Sequence, residues 1–286
     1  VELVPEYITP PAAILPDGMS PRAYLNKLCG DALLNTYPAD RQDKAVVQYN
    51  KEFGVITSLG LEEYFLVVRE VVNESRKRGI RCAGRGSAAN SIVAYLLGIT
   101  GVDPIRHNLL FERFLHSGRK GTPDIDIDFD SERRDEIIEW VEQRFGIEQT
   151  AMTATLITYQ LRMAIKDVAK TLGWPLDVID KLTPAIPSRS ASEVRTYRNH
   201  LSAILGESPL FELLITMVEG LAGIPRHLGL HAGGMVLSRK PLRHFTPVQV
   251  SANGVKVVQF DKNDVEALGL VKLDVLGLRM LATLSE

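Results

Sequence analysis

The chain has 286 residues, 45% of them hydrophobic and 24% charged, with a formal net charge of −2. That composition excludes a disordered or fibrous chain and fits one large globular domain or two ordinary ones. No apolar run reaches transmembrane length, no signal peptide is visible, and the two cysteines, Cys29 and Cys82, form no metal-ligand spacing, so a reduced, cytoplasmic setting away from membranes is expected.

The chain begins at Val1 without Met and stops at Glu286 inside what reads as the opening of a helix, so an excised piece of a longer protein is expected. Residues 1–20 are rich in Pro and short polar stretches and read as a connector, followed by helices over about 21–37 and 41–56. In 60–79 the apolar positions Tyr64, Phe65, Val67, Val68, Val71 and Val72 recur at helical spacing, and Gly79 is a natural stop. IRCAGRGSAANSIVAYLLGI then predicts strand, Gly-rich turn and helix; LLFERFL (109–115) is strand or short helix. Alternation with period 2 predicts a strand over 123–129, and 131–146 reads as an amphipathic helix with Ser131 as N-cap and Gly146 as stop. The stretch 151–225 looks helical throughout, broken by prolines, and β-type runs return in GGMVLS, VKVVQFD and ALGLVKLDVLGL. An α/β domain split by an all-α insertion fits that order better than two independent domains.

In TPDIDIDFD, Asp124, Asp126 and Asp128 share one face of the predicted strand, while Ile125, Ile127 and Phe129 face a core. Side-by-side carboxylates repel one another unless a cation sits among them, and oxygen-ligated hard divalent ions are the usual answer. A solvated acidic face is the plain alternative. A calcium loop is the other, but its required Gly and Glu positions hold Phe129 and Asp135. Metal pairs roughly 3.5–4 Å apart serve phosphoryl and nucleotidyl transfer. A further carboxylate is then needed, and Asp274, a lone acid in an apolar strand with Lys272 two residues earlier on its face, offers it.

The turn GRGSAANS (84–91) lets the backbone approach a ligand at Gly84 and Gly86, and the amides of the helix start with the Ser87 hydroxyl read as an anion site. Arg76, Lys77, Arg78, Arg81 and Arg85 crowd its approach. A dinucleotide fingerprint would need a second strand ending in an acid, and a phosphate-binding P-loop would need G-K-[ST]; neither is present. A phosphate-bearing ligand beside a D-x-D strand is the combined reading.

GRGSAANSIVAYLLGITGVDP, LLFERFL, PDIDIDF with an ERRDEII-type helix, HAGG and QFDKNDVEALGLVKLDVLGLR occur in this order. The series resembles the catalytic core of the bacterial C-family DNA polymerases, the alpha subunit of DNA polymerase III, from about residue 20 onward. The resemblance implies a polymerase-beta-like nucleotidyltransferase palm at 21–150 and 227–286, split by a helical thumb at 151–226. It implies that Asp124, Asp126 and Asp274 are the metal-binding catalytic acids, with Asp128 in support. Gly86 and Ser87 would bind the nucleotide triphosphate, and Arg113 and Lys272 would neutralise phosphate charge. Lys166, Arg189 and Arg195, with Arg162, Lys170 and Arg198, would contact duplex phosphates. His227 and His231 read as holding the HAGG turn rather than as catalytic groups.

The same resemblance implies template-directed DNA synthesis with two Mg²⁺ ions, for which Mn²⁺ can substitute. The partners would be primer-template DNA, deoxynucleoside triphosphates, and replisome subunits bound through regions absent from these residues. Lacking fingers, the piece is expected to be weakly active or inactive alone. Asn90 stands where replicative members commonly carry Gly, a hint of the auxiliary type. The rival readings are a catalytically silent palm used for binding or assembly, and a nucleotidyltransferase acting on other substrates.

Overall fold

The computed structural model describes residues 10–116, 118, 122–187 and 189–285. Of the predicted connector, the first nine residues lie outside the described residues; 10–20 carry neither helix nor strand. Two compact units are present: one formed by Val1–Thr155 with Leu230–Glu286, the other by Leu156–Gly229.

The first unit is built on helices α1 (Pro21–Thr36), α2 (Ala39–Ser58) and α3 (Glu62–Lys77). Ser20 caps α1 by accepting from the Ala23 amide, with Pro21 at the first helical position where its missing N–H costs nothing. The six apolar positions of α3 read from the sequence are all buried. Each large side chain among them contributes roughly 1.5–3 kcal/mol. Gly79, at φ 69°, ends that helix as expected.

A seven-stranded mixed sheet completes the unit, in the order β1-β2-β7-β4-β3-β6-β5. Its strands are β1 (Cys82–Arg85), β2 (Asp126–Asp130), β3 (Thr150–Thr158), β4 (Pro225–Leu237), β5 (Val248–Val250), β6 (Lys256–Val258) and β7 (Val271–Leu278). β2 is the centre of interest. It pairs antiparallel with β1 and parallel with β7, which lies almost 150 residues further along the chain. Ile125, Ile127 and Phe129 are fully buried beneath it, as the alternation requires.

Several local expectations need correction. The strand begins at Asp126, so Asp124 precedes the ladder. Helix α5 (Arg134–Phe145) starts three residues after Ser131, because Asp130 takes the Glu132 amide at 3.0 Å and holds 131–133 as a turn. Gly86 opens a 3-10 turn (Gly86–Asn90), and the helix after it, α4 (Ile92–Leu96), is only five residues long. The stretch 151–225 opens in β3 rather than in helix, and β4 starts before His227. Thr150–Thr158 mixes strand-favouring Thr and Ile with Ala, Met and Leu, so its local preference is mixed and its strand state is fixed by pairing with strands distant in sequence.

The second unit carries α6 (Leu161–Thr171), α7 (Leu176–Leu182), a 3-10 segment (Ala191–Tyr197), α8 (Arg198–Leu205) and α9 (Pro209–Gly220). They enclose their own core, including Leu161, Ile165, Leu182, Val194, Leu201, Phe211 and Ile215. The unit is therefore helical between its two flanking strand ends. Among the described residues no helix is long and apolar enough to cross a membrane.

Candidate metal and phosphate site

Parallel pairing of β2 with β7 sets Asp126 directly opposite Asp274. Asp124, just before β2, completes a cluster in which one carboxylate oxygen from each residue lies within 4.8 Å of the others. The segment entering β2 is fixed by α3, whose buried Tyr64 donates its hydroxyl to the Pro123 carbonyl at 2.8 Å. Nothing local in the sequence marks Tyr64 for that task; it reads as one more core aromatic.

Lys272 lies between two of the acids. Its Nζ stands 2.9 Å from Asp124 Oδ1 and 2.6 Å from Asp274 Oδ2. Burial alone would lower the ammonium pKa, but the hydrogen bonds to Asp274 and Asp124 outweigh it and hold the charge above the usual lysine range. Among the described residues Asp126 has no such partner. Burial, the hydrogen-bonding carboxyl of Asp274, and the charges of Asp274 and Asp124 push its carboxyl up to about 6, with Arg85 opposing. Among the described residues the site is thus short of positive charge. Two like charges about 4 Å apart repel by about 4 kcal/mol at an effective dielectric of 20.

Three observations fit a divalent cation here. The donor set is all hard oxygen. Asp274 is 5% exposed, yet its Oδ1 has no hydrogen-bond partner among the described residues. Two glycines leave the carboxylates unobstructed. A Cβ on Gly234, opposite Asp274 in β4, would lie 3.1 Å from that Oδ1; one on Gly86 would lie 3.3 Å from Asp126 Oδ2. Gly86 also holds a left-handed φ of 65°, which a side chain would strain. Asp128 does not join the cluster. It is buried against Arg85, at 3.3 Å, and burial raises its carboxyl pKa while Arg85 lowers it.

The glycine turn therefore lies against the acids through Gly86 and Asp126. Ser87 is half-buried and its hydroxyl makes no hydrogen bond to a described residue. At the start of α4 itself, two amides are already engaged: those of Ile92 and Val93 donate to the carboxylate of Glu52, at 3.1 and 3.3 Å. Arg113 is exposed on a 3-10 turn (Phe111–Arg113) that packs against the glycine turn, and it forms no ion pair with a described residue. A cavity lined by Thr122, Asp124, Lys262, Asn263 and Lys272 opens beside the acids. His231, in strand rather than turn, accepts the amides of Gly233 and Gly234 at its Nδ1 (3.2 and 2.7 Å), which shapes the stretch facing Asp274.

In the helical unit, five of the six basic residues expected at phosphates are engaged internally, while Lys170 is exposed and forms no ion pair with a described residue. Lys166 pairs with Asp180 (3.2 Å), Arg189 with Glu193 (3.1 Å) and Arg195 with Glu219 (2.8 Å). Arg198 pairs with Glu207 and Glu212, and Arg162 donates to the Ile186 carbonyl.

Comparison with known proteins gives one consistent result. Residues 23–277 match the family described as the bacterial DNA polymerase III alpha NTPase domain. A protein of Symbiobacterium thermophilum named error-prone DNA polymerase is 45% identical over 282 residues, covering 97% of this chain and 25% of that protein. Proteins of the same name from Methylococcus capsulatus and Pseudomonas aeruginosa are 42% and 41% identical, each over 96% of this chain and 26% and 27% of their own length. The chain spans about a quarter of the length of these relatives. With a match over residues 23–277, most of its length, the chain belongs to the bacterial DNA polymerase III alpha NTPase-domain family.

Proposed function

We propose that this chain is the catalytic part of a longer DNA polymerase and carries out template-directed nucleotidyl transfer at the Asp124–Asp126–Asp274 cluster. In this reading the first unit is the palm and the helical unit the thumb, with the boundaries near 151 and 226. The observation that carries the reading is the pairing of Asp126 with Asp274 across β2 and β7, with a buried carboxylate oxygen left unpartnered.

Asp124, Asp126 and Asp274 would hold two Mg²⁺ ions. Bound there, the ions supply activation of the primer 3′-hydroxyl and stabilisation of the departing pyrophosphate. The chain's own groups hold and orient the substrates. Gly86, without a side chain, lets the triphosphate approach the acids closely, and the Ser87 hydroxyl is free to donate to it. Lys272, held charged by its two carboxylates, offers that charge to phosphate oxygens as negative charge grows on them. Arg113, exposed beside the glycine turn, adds a second cation. Primer-template duplex would lie along the helical unit, with Lys166, Arg189 and Arg195 on its phosphates. The name shared by the matched relatives, together with Asn90, favours an error-prone, auxiliary enzyme. Asn90 donates to the Ser87 carbonyl at 3.0 Å, a contact glycine could not make.

The test is calorimetric titration of the 286-residue chain with Mn²⁺. Saturable binding is expected, weakened at least about a hundredfold (about 2.7 kcal/mol) in Asp126→Asn. In the full-length polymerase the same substitution should abolish nucleotide incorporation. A wild-type chain that takes up no ion would favour the silent binding module instead.

A further inference from the structure

A buried acid outside the cluster has a task that the catalytic reading does not use. Glu52, on α2, is fully buried. Burial pushes its carboxyl pKa up, and four donors oppose that shift. Oε1 accepts from Gln48 Nε2 at 2.8 Å and from the Ile92 amide at 3.1 Å. Oε2 accepts from the Ser91 hydroxyl at 2.7 Å and from the Val93 amide at 3.3 Å. Three of these donors belong to Ser91, Ile92 and Val93, the residues immediately after the glycine turn.

The turn itself is a single short 3-10 segment with Ala88 buried in the core. Its closing bonds are the Ser91 amide to the Ala88 carbonyl at 3.2 Å and the Asn90 side chain to the Ser87 carbonyl at 3.0 Å. Its near end rests on β1, and Gly86 stands against Asp126. A rigid carboxylate at the far end therefore fixes where Gly86 and Ser87 sit relative to the acids. Burying a carboxylate is costly, and here each of its oxygens accepts two hydrogen bonds.

We propose that Glu52 is a positioning residue for the nucleotide: it anchors the far end of the Gly86–Asn90 turn and so sets how well the turn receives a nucleoside triphosphate, without touching it. The inference rests on the proposed polymerase function. Glutamine is nearly isosteric but cannot replace it. Each oxygen of Glu52 accepts from two donors, so in either orientation the amide NH₂ faces groups that also donate. The loss acts on the turn while leaving Asp124, Asp126 and Asp274 in place.

The experiment is steady-state incorporation by the full-length polymerase carrying Glu52→Gln, with Mn²⁺ titration and thermal melting of the same protein. The expected result is a KM for the nucleotide raised about tenfold, kcat within about twofold, and unchanged Mn²⁺ affinity. Ser91→Ala, which removes one donor and spares the buried charge, should raise KM in the same direction by a smaller factor, and it carries the test if the glutamine variant does not fold. A lowered melting temperature with unchanged KM in both variants overturns the proposal and leaves Glu52 a structural residue. If Asp126→Asn also retains incorporation, the polymerase reading itself has failed, and the role of Glu52 with it.

Discussion

Lys272 is held by the two carboxylates that would have to serve a metal, so it competes with the ion while preparing the site for phosphate. An ammonium within hydrogen-bonding distance of two ligands disfavours a dication by the same Coulomb term that favours the acids. Lys272→Met should therefore tighten Mn²⁺ binding, by roughly tenfold, and weaken binding of a nucleoside triphosphate by a comparable factor. Calorimetry with the ion alone and then with nucleotide separates the two effects. A variant that loses both would mean that Lys272 only keeps the acids in place. At this scale much was legible. Alternation in DIDIDFD puts Asp124, Asp126 and Asp128 on one face and LVKLD offers Asp274, but which two of the first three meet Asp274 was not readable from alternation; a lysine two residues before Asp274 on a strand must share its face. Tyr64 and Glu52 were not legible. Each acts on a segment tens of residues away, and nothing near it in the sequence reports the partner.

The elements differ in how much of them is local. Helix α3 was readable from its own period, because a helical stripe that wide must be buried. β3 was not: its state depends on neighbours that sequence order does not supply. The start of α4, directly after the 84–91 turn, was legible for a local reason. Ser91, four residues past Ser87, is the side chain that caps the helix, by accepting from the Ala94 amide. In the helical unit, the cations proposed for duplex phosphates already have carboxylate partners. Exposed pairs of this kind are worth about 0–1 kcal/mol, so phosphate can displace the carboxylate at little cost. Replacing Lys166, Arg189 and Arg195 together with alanine should cost the chain little stability. It should also reduce the salt dependence of duplex binding by roughly two to three in the log–log slope, since each phosphate contact contributes about 0.9. Fluorescence anisotropy across a salt series measures this. An unchanged slope would assign the three residues to internal ion pairs alone.

At the scale of the molecule, the acid cluster and the glycine turn lie wholly within the first unit, and every contact that assembles them is made by residues of that unit. Ion binding should accordingly survive in the 286-residue chain. Nucleotide selection is a different matter. Asp124 is half exposed, with 52% of its side chain accessible, and Arg113 is exposed beside the turn. A triphosphate held only by one lysine, one arginine and a short turn is gripped on one side. Catalysis by positioning needs the reacting atoms near 3–3.5 Å in a fixed orientation, and a loosely held nucleotide loses most of that advantage. The matched relatives are about four times as long as this chain, which leaves ample polypeptide to close the other side. The chain alone should therefore bind Mn²⁺ yet extend a primer at no more than a small fraction of the full-length rate, about a hundredth or less. Gel-resolved extension of a labelled primer, at matched concentrations of the two proteins, decides it. Extension within tenfold of the full-length enzyme would mean that these residues already enclose the nucleotide, and that Ser87, Lys272 and Arg113 suffice to orient it.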